Sequence, residues 1–299
     1  MKRILIVGSL NMDTVLEVPY LPRAGETITG KNITLIPGGK GANQAYAAGK
    51  LGGDVVMAGA VGDDSFGDRL RANLKEVGVN TTSIVEISGV PTGQAYIIVD
   101  DNGENSITLI RGTNGEVTCK MAESWKKYIE TCDILIMQLE IPLDTVLYVK
   151  NLAVRLGKTV ILDPAPAKKE FPDGFWQGID YIKPNETELS ILTGKAIDTK
   201  ENIIIAASEM LDKGVKNVIV TLGEKGCFLV NRSVQKFFPV EKVKAVDTTA
   251  AGDCFTAAFA LALSRGETED EAVNFGQKVS SIAVTRKGAQ TSIPDASEL

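Results

Sequence analysis

The chain has 299 residues, 44% of them apolar and 23% charged, with a formal net charge of −6. That length holds one large α/β domain or two small ones, and the acidic balance argues against nucleic acid or an anionic membrane as partner. There is no histidine, which removes Ser-His-Asp and Cys-His catalysis and histidine-based metal sites and leaves acid–base chemistry to Asp, Glu, Lys, Tyr or Cys.

Cys119, Cys132, Cys227 and Cys254 are scattered and show no C-x-x-C spacing, as expected of free thiols in a reducing cytoplasm. The first apolar run, Ile4–Val7, is too short for a signal sequence and predicts a buried central strand ending at Gly8. No apolar run approaches the roughly 20 residues of a membrane span. Asn11 and Asp13 follow Gly8 at once, where the strand delivers them to one end of a sheet. Segments 13–18 and 27–36 then read as extended and half-exposed, too polar for a buried parallel sheet.

Pro37-Gly38-Gly39-Lys40-Gly41-Ala42-Asn43-Gln44 opens an Ala-rich helix to about Leu51. Its spacing is not that of a Walker A motif, and the glycines predict close backbone approach to a polar ligand, with a plain tight turn as the alternative. A strand over 55–60 and an amphipathic helix over 66–77 follow. Runs 94–99 and 106–110, joined through Asn102-Gly103, predict a hairpin that joins the 13–36 segments in a small accessory sheet.

From residue 118 strands and helices alternate: helix 118–130, strand 134–137, helix 143–156, strand 159–162, strand 181–182, helices 186–193 and 200–213, strands 218–221 and 227–230. This alternation predicts a mostly parallel sheet covered on both faces, a three-layer α/β/α fold with a small β insertion. Thr268 and Glu271 have capping-box spacing and start a last helix. In such a sheet ligands sit beyond the carboxyl ends of the strands, where Glu140, Asp163, Asn185 and Thr221–Gly223 stand.

The densest chemistry lies in Asp247-Thr-Thr249-Ala250-Ala251-Gly252-Asp253, a small-residue loop that opens directly into an Ala-rich helix. Its first backbone N–H groups have no intrahelical partner, so the junction is suited to a phosphate or an oxyanion. An acid beside an anion hole, Asp253, suits proton removal from an alcohol attacking a phosphate; the plain alternative is a helix-capping Asp. Asn185 and Glu188 share a helix face and fit either a capping box or a water-mediated Mg²⁺ site. Asp163-Pro-Ala-Pro166 reads as a rigid turn of structural role, and Glu140 as a sugar-hydroxyl contact or a solvated loop acid.

Together these motifs, with Gly8-Ser-Leu-Asn11-Met12-Asp13, Pro22-x-x-Gly25-Glu26-Thr27, Met137-Gln-Leu-Glu140, Thr221-Leu222-Gly223-Glu224-Lys225-Gly226 and Val284-Thr-Arg-Lys-Gly288-Ala-Gln-x-Ser292, resemble the ribokinase-like family of carbohydrate and nucleoside kinases over essentially the full length. The resemblance implies one kinase domain over 1–299, its lid formed by segments of about 13–36 and 93–111 and used for homodimerisation. It implies ATP-dependent phosphorylation of D-ribose at O5, with Asp253 as base and the Ala250, Ala251, Gly252 and Asp253 amides as anion hole. Asn11, Met12, Asp13 and Glu140 would hold the sugar together with Gly39, Lys40, Gly41, Ala42 and Asn43. Asn185, Thr221, Leu222, Gly223, Glu224, Lys225, Gly226 and Gln277 would line the nucleotide site with Gly252 and Asp253. Mg²⁺ would be organised by Asn185 and Glu188, and K⁺ by Asp247, Thr249, Ala283, Arg286, Gly288 and Ser292. Gln277 stands where certain relatives carry His beside the adenine. Two other readings follow: a sibling kinase for deoxyribose, fructose or a nucleoside, and a sugar-binding protein that has kept the fold without catalysis. The second would show loss of Asp253 or Gly252, and both are present.

Overall fold

A computed structural model describes residues 1–299. Its strands and helices run in the order β1 (Ile4–Val7), β2 (Asn11–Glu17), β3 (Asn32–Gly38), α1 (Lys40–Lys50), β4 (Val55–Gly62), α2 (Ser65–Glu76), β5 (Asn80–Ile87), β6 (Gly93–Val99) and β7 (Asn105–Ile110). Then come α3 (Cys119–Ser124), α4 (Lys126–Thr131), β8 (Ile134–Met137), α5 (Leu143–Arg155), β9 (Thr159–Leu162), β10 (Tyr181–Ile182), α6 (Glu186–Thr193) and α7 (Lys200–Asp212). β11 (Asn217–Thr221), β12 (Cys227–Asn231), β13 (Gln235–Phe238), α8 (Ala251–Arg265) and α9 (Glu269–Ala283) complete the chain.

The large sheet has nine strands in the order β13-β12-β11-β10-β9-β8-β1-β4-β5, with every neighbouring pair parallel except β11–β12 and β12–β13. β1 is wholly buried because both of its faces are covered. Ile4 and Ile6 join one apolar cluster with α1, α2, α8 and α9, while Leu5 and Val7 join another with α3 to α7. Continuous apolar strands are what a doubly covered parallel sheet requires. The small sheet, β3-β2-β6-β7, leaves Ile33, Ile107, Leu109 and Ile110 exposed. No helix is long and apolar enough to cross a membrane.

Four local readings change. The helix expected over 118–130 is two, α3 and α4, because the chain turns at Trp125 to bury its indole. The expected 27–36 strand pairs only from Asn32 onward. β5 and the edge strand β13 carry too many polar residues to be seen as strands from pattern alone. Asn11 and Asp13 do not simply trail β1; they begin β2 and pair with Gly93 and Ala95 of β6, which ties the small sheet to the end of the large one.

Candidate active site

α8 begins with Ala250 at φ 60°, the only non-glycine residue in the chain with positive φ. Such a conformation costs on the order of 1–3 kcal/mol and persists where surrounding structure enforces it, commonly at functional sites. The turn directs the Ala251 amide to the Thr248 carbonyl at 3.2 Å, while the Gly252 and Asp253 amides find no protein acceptor. The expected four-amide anion hole is thus corrected at Ala251, whose N–H is already spent.

Asp253 is not a helix cap. Its carboxylate accepts from Asn43 Nδ2 at 3.0 Å and from Gln44 Nε2 at 2.9 Å, and it is buried. Neither amide is free to turn over. Asn43 Oδ1 accepts from Gln290 at 3.0 Å, and Gln44 Oε1 accepts from Gln138 at 2.5 Å. Gln44 also reaches Asp163 Oδ2 at 3.0 Å. Burial raises the Asp253 carboxyl above the ordinary carboxylate range against the opposing charge of Lys40. Asn43, expected on the sugar, orients Asp253 through one Nδ2 hydrogen and accepts from Gln290, while its second Nδ2 hydrogen has no protein acceptor.

Of the backbone amides in the Gly39–Asn43 turn, the four from Lys40 onward are taken up by protein, and the Gly39 N–H alone has no protein acceptor. Lys40 N donates to Glu140 Oε2, Gly41 N to Ser9 Oγ, Ala42 N to Ser9 O and Asn43 N to Gly39 O. The glycines serve close packing: Gly39 has φ 87°, and a Cβ there would lie 2.8 Å from Asn11 N. The turn also contributes Lys40. Burial alone would lower its pKa, but Asp253, Asp163, Glu140 and Glu188 outweigh that and hold it raised.

Around the Lys40 end stand Asn11, Asp13 and Glu140. Ser9 Oγ and Lys40 N both bind Glu140 Oε2, and Asn114 fixes Asn11 by donating to its Oδ1 at 2.7 Å. Asp13 Oδ1 is buried without a partner, and burial together with the Glu140 charge pushes its carboxyl up to about 7. The side chains of Met12 and Ala42, expected at the sugar, lie in the apolar core because alternation along β2 and the inner face of α1 send them inward.

Beside Asp253 opens a cavity of about 610 Å³, lined by Lys40, Asn185, Glu188, Thr221, Gly223, Glu224, Gly226, Gln277 and the Ala250–Asp253 turn. Leu222 and Lys225 do not line it. Leu222 points into the core and Lys225 faces Glu186 on the outer side of the loop. Asn185 and Glu188 form a complete capping box at 2.8 and 2.9 Å. Both still line the cavity, and one Glu188 oxygen stays unused, which fits a water-mediated divalent cation. The turn reading of Asp163 is incomplete: the residue is buried in the cavity wall with its carboxylate 3.4 Å from Lys183 Nζ. Sequence reading missed Lys183 altogether, though a lysine closing an apolar strand was its signal.

Behind the anion turn, Asp247 joins two loops. It accepts from Thr249 N at 2.9 Å and Gly288 N at 2.8 Å. Despite burial these bonds hold its carboxyl below the ordinary range. Ala283 O accepts from Arg286 N, Ser292 Oγ donates to Ala289 O, and the Arg286 guanidinium pairs with Glu298, which leaves the Arg286 main-chain carbonyl as the atom it could offer a cation. One carboxylate beside main-chain carbonyls at the C-terminus of α9 is an all-oxygen set that fits a hard monovalent cation.

A family profile described as pfkB family carbohydrate kinase matches residues 1–296. The chain belongs to this family. It is 41% identical to a ribokinase of Haemophilus influenzae over 297 residues, covering 99% of this chain and 97% of that one. It is 37% identical to a deoxyribokinase of Salmonella typhi, covering 97% and 95%. The structure of Arabidopsis thaliana ribokinase complexed with ribose and ATP superposes with a TM-score of 0.95 at 34% identity, covering 99% of this chain and 96% of that one. Lys40, next to β3 of the small sheet, also lines the cavity beside Asp253.

Proposed function

We propose that this chain is an ATP-dependent kinase of D-ribose, giving D-ribose 5-phosphate and ADP. One observation carries the reading: a buried carboxylate, Asp253, is locked by Asn43 and Gln44 beside two unpartnered amides at the mouth of a nucleotide-sized cavity. The sugar sits at the Lys40 end against Asn11, Asp13 and Glu140, under the small sheet as a lid. The nucleotide lies between Gln277 and the 221–226 loop with its phosphates toward Gly252. A free Asp, of pKa about 3.9, does not ionise a sugar alcohol in the ground state. The proton therefore passes to Asp253 as the oxygen–phosphorus bond forms and the bond to ADP breaks. Positioning and charge stabilisation carry most of such a transfer.

Glu188 and Asn185 would hold Mg²⁺ through water, which would supply charge neutralisation at the phosphates. Asp247 would hold K⁺ with the neighbouring main-chain carbonyls, which would support the turn that follows. The exposed apolar residues of the small sheet suit pairing of two copies, and the free cysteines suit a cytoplasmic enzyme. The similarity to a deoxyribokinase favours one second reading, a 2-deoxy sugar as substrate. ATP consumption measured with D-ribose, 2-deoxyribose, fructose and a nucleoside, with and without K⁺, tests the proposal. Ribose-dependent turnover that rises with K⁺ is expected. Turnover with another of these only moves the substrate, and none with any of them overturns catalysis.

A further inference from the structure

Lys183 stands immediately after β10, with its amide anchored to Leu162 O at 3.2 Å. It is 95% buried, being 5% exposed, yet its ammonium makes no hydrogen bond within the protein. Its charge partner is Asp163 Oδ1 at 3.4 Å, an oxygen with no hydrogen bond of its own. An ammonium carries three donors, and here no protein acceptor takes them, so they are left to whatever fills the cavity that the side chain lines. The side chain lines the cavity, and a Cβ placed on Gly252 would come within 3.1 Å of Nζ. The ammonium thus overhangs the very backbone whose amides are free. Gly252 keeps the space between them open, and an anion resting on the Gly252 and Asp253 amides meets Lys183 from the other side.

We propose that Lys183 is a phosphate-binding residue of this cavity, its ammonium tethered by Asp163 and held ready for an oxygen of the nucleotide's phosphate chain. The inference rests on the assignment of this cavity to ATP. The competing role is a structural tie between β9 and β10, and the two roles differ in what a neutral replacement restores. A purely structural buried pair is exchangeable for uncharged residues of similar volume with little loss. A phosphate ligand is not.

The test compares Lys183→Met, Lys183→Arg and the paired Asp163→Asn/Lys183→Met variant, each titrated calorimetrically with ATP and with adenosine. Lys183→Met leaves Asp163 unpaired and is expected to lower the melting temperature; the paired variant recovers it. In both, ATP binding weakens ten- to a hundredfold while adenosine binding is unchanged, and Lys183→Arg retains part of the ATP affinity. Equal losses for ATP and adenosine, or ATP affinity restored in the paired variant, overturn the proposal, as does unaltered ATP binding throughout. Should the unmodified chain phosphorylate no sugar, the kinase reading fails, whereas the contrast between ATP and adenosine still decides Lys183.

Discussion

Replacing Asp253 by Asn separates the base from everything else the site does. The two shapes are nearly the same, but the surroundings are built for a carboxylate. Both oxygens accept, from Asn43 at 3.0 Å and Gln44 at 2.9 Å, and both donors are fixed by further bonds to Gln290 and Gln138. An Asn side chain keeps one acceptor and turns its NH₂ toward the other donor. One charge-assisted hydrogen bond, of about 1.5–3 kcal/mol, is lost. Against this stands relief from burying a charge, so the melting temperature moves little. Catalysis loses its proton acceptor, a contribution of roughly 10²–10⁴ in rate, or about 3–5 kcal/mol in the barrier. Steady-state kinetics at saturating ATP and sugar should show kcat down by that factor, while calorimetric titration shows sugar affinity kept within a few-fold. A kcat within about tenfold of the unmodified enzyme would refute the assignment, since that is below the smallest effect expected of an acid–base group.

Asp13, pushed up to about 7, makes the folded protein bind a proton that the unfolded chain has released, so stability falls as pH rises from about 4 to about 7 and then levels. Asp13→Asn should flatten that part of the pH profile of thermal denaturation and raise the melting temperature above pH 7 while weakening sugar binding; an unchanged slope would sink the account. Asp247→Ala cuts the two bonds, at 2.9 and 2.8 Å, that join the Thr249 and Gly288 loops. It should lower kcat and abolish the response to K⁺ with little change in sugar affinity, and full K⁺ activation in that variant would show that the cation acts elsewhere.

What the sequence made legible was whatever depends on local pattern. Continuous apolar runs such as Ile4–Val7 and Ile134–Met137 placed the parallel strands, because a strand buried on both faces has no polar alternation to obscure it. The spacing of Asn185 with Glu188, and of Thr268 with Glu271, marked two helix starts at which capping boxes stand. What stayed hidden depends on partners distant in the chain. Asp163 and Lys183 meet because β9 and β10 are neighbours, and nothing near either residue announces the other. The amides of Gln44, Gln138, Gln290 and Asn114 look like ordinary polar residues until the fold buries them and their hydrogen bonds become obligatory. Met12 and Ala42 mislead in the opposite way. They lie inside ligand-rich motifs, but their side chains serve the core.

The charge of the cavity sets what can occupy it. Its wall carries two ammoniums, Lys40 and Lys183, against five carboxylates, Asp163, Glu188, Glu224, Glu241 and Asp253, a net charge of −3. A bare nucleoside triphosphate would be repelled by such a wall as a whole. Binding must therefore be local: positive groups concentrated where the phosphates lie, and negative ones displaced toward a cation that travels with them. The arrangement has that polarity. The free amides of Gly252 and Asp253 and the positive end of α8 face the same space as Lys183, while Glu188 is set at the start of α6 with an oxygen to spare. Asp253 gains from the same layout. Next to a phosphate it would be driven to take up a proton, and Lys40 is the group that opposes this until the alcohol arrives. Lys40 lines the cavity while its backbone N–H holds Glu140, so on the proposed assignment it would stand between the sugar and the anion turn. Lys183 would then be the second cation of the wall, set on the side of Gly252.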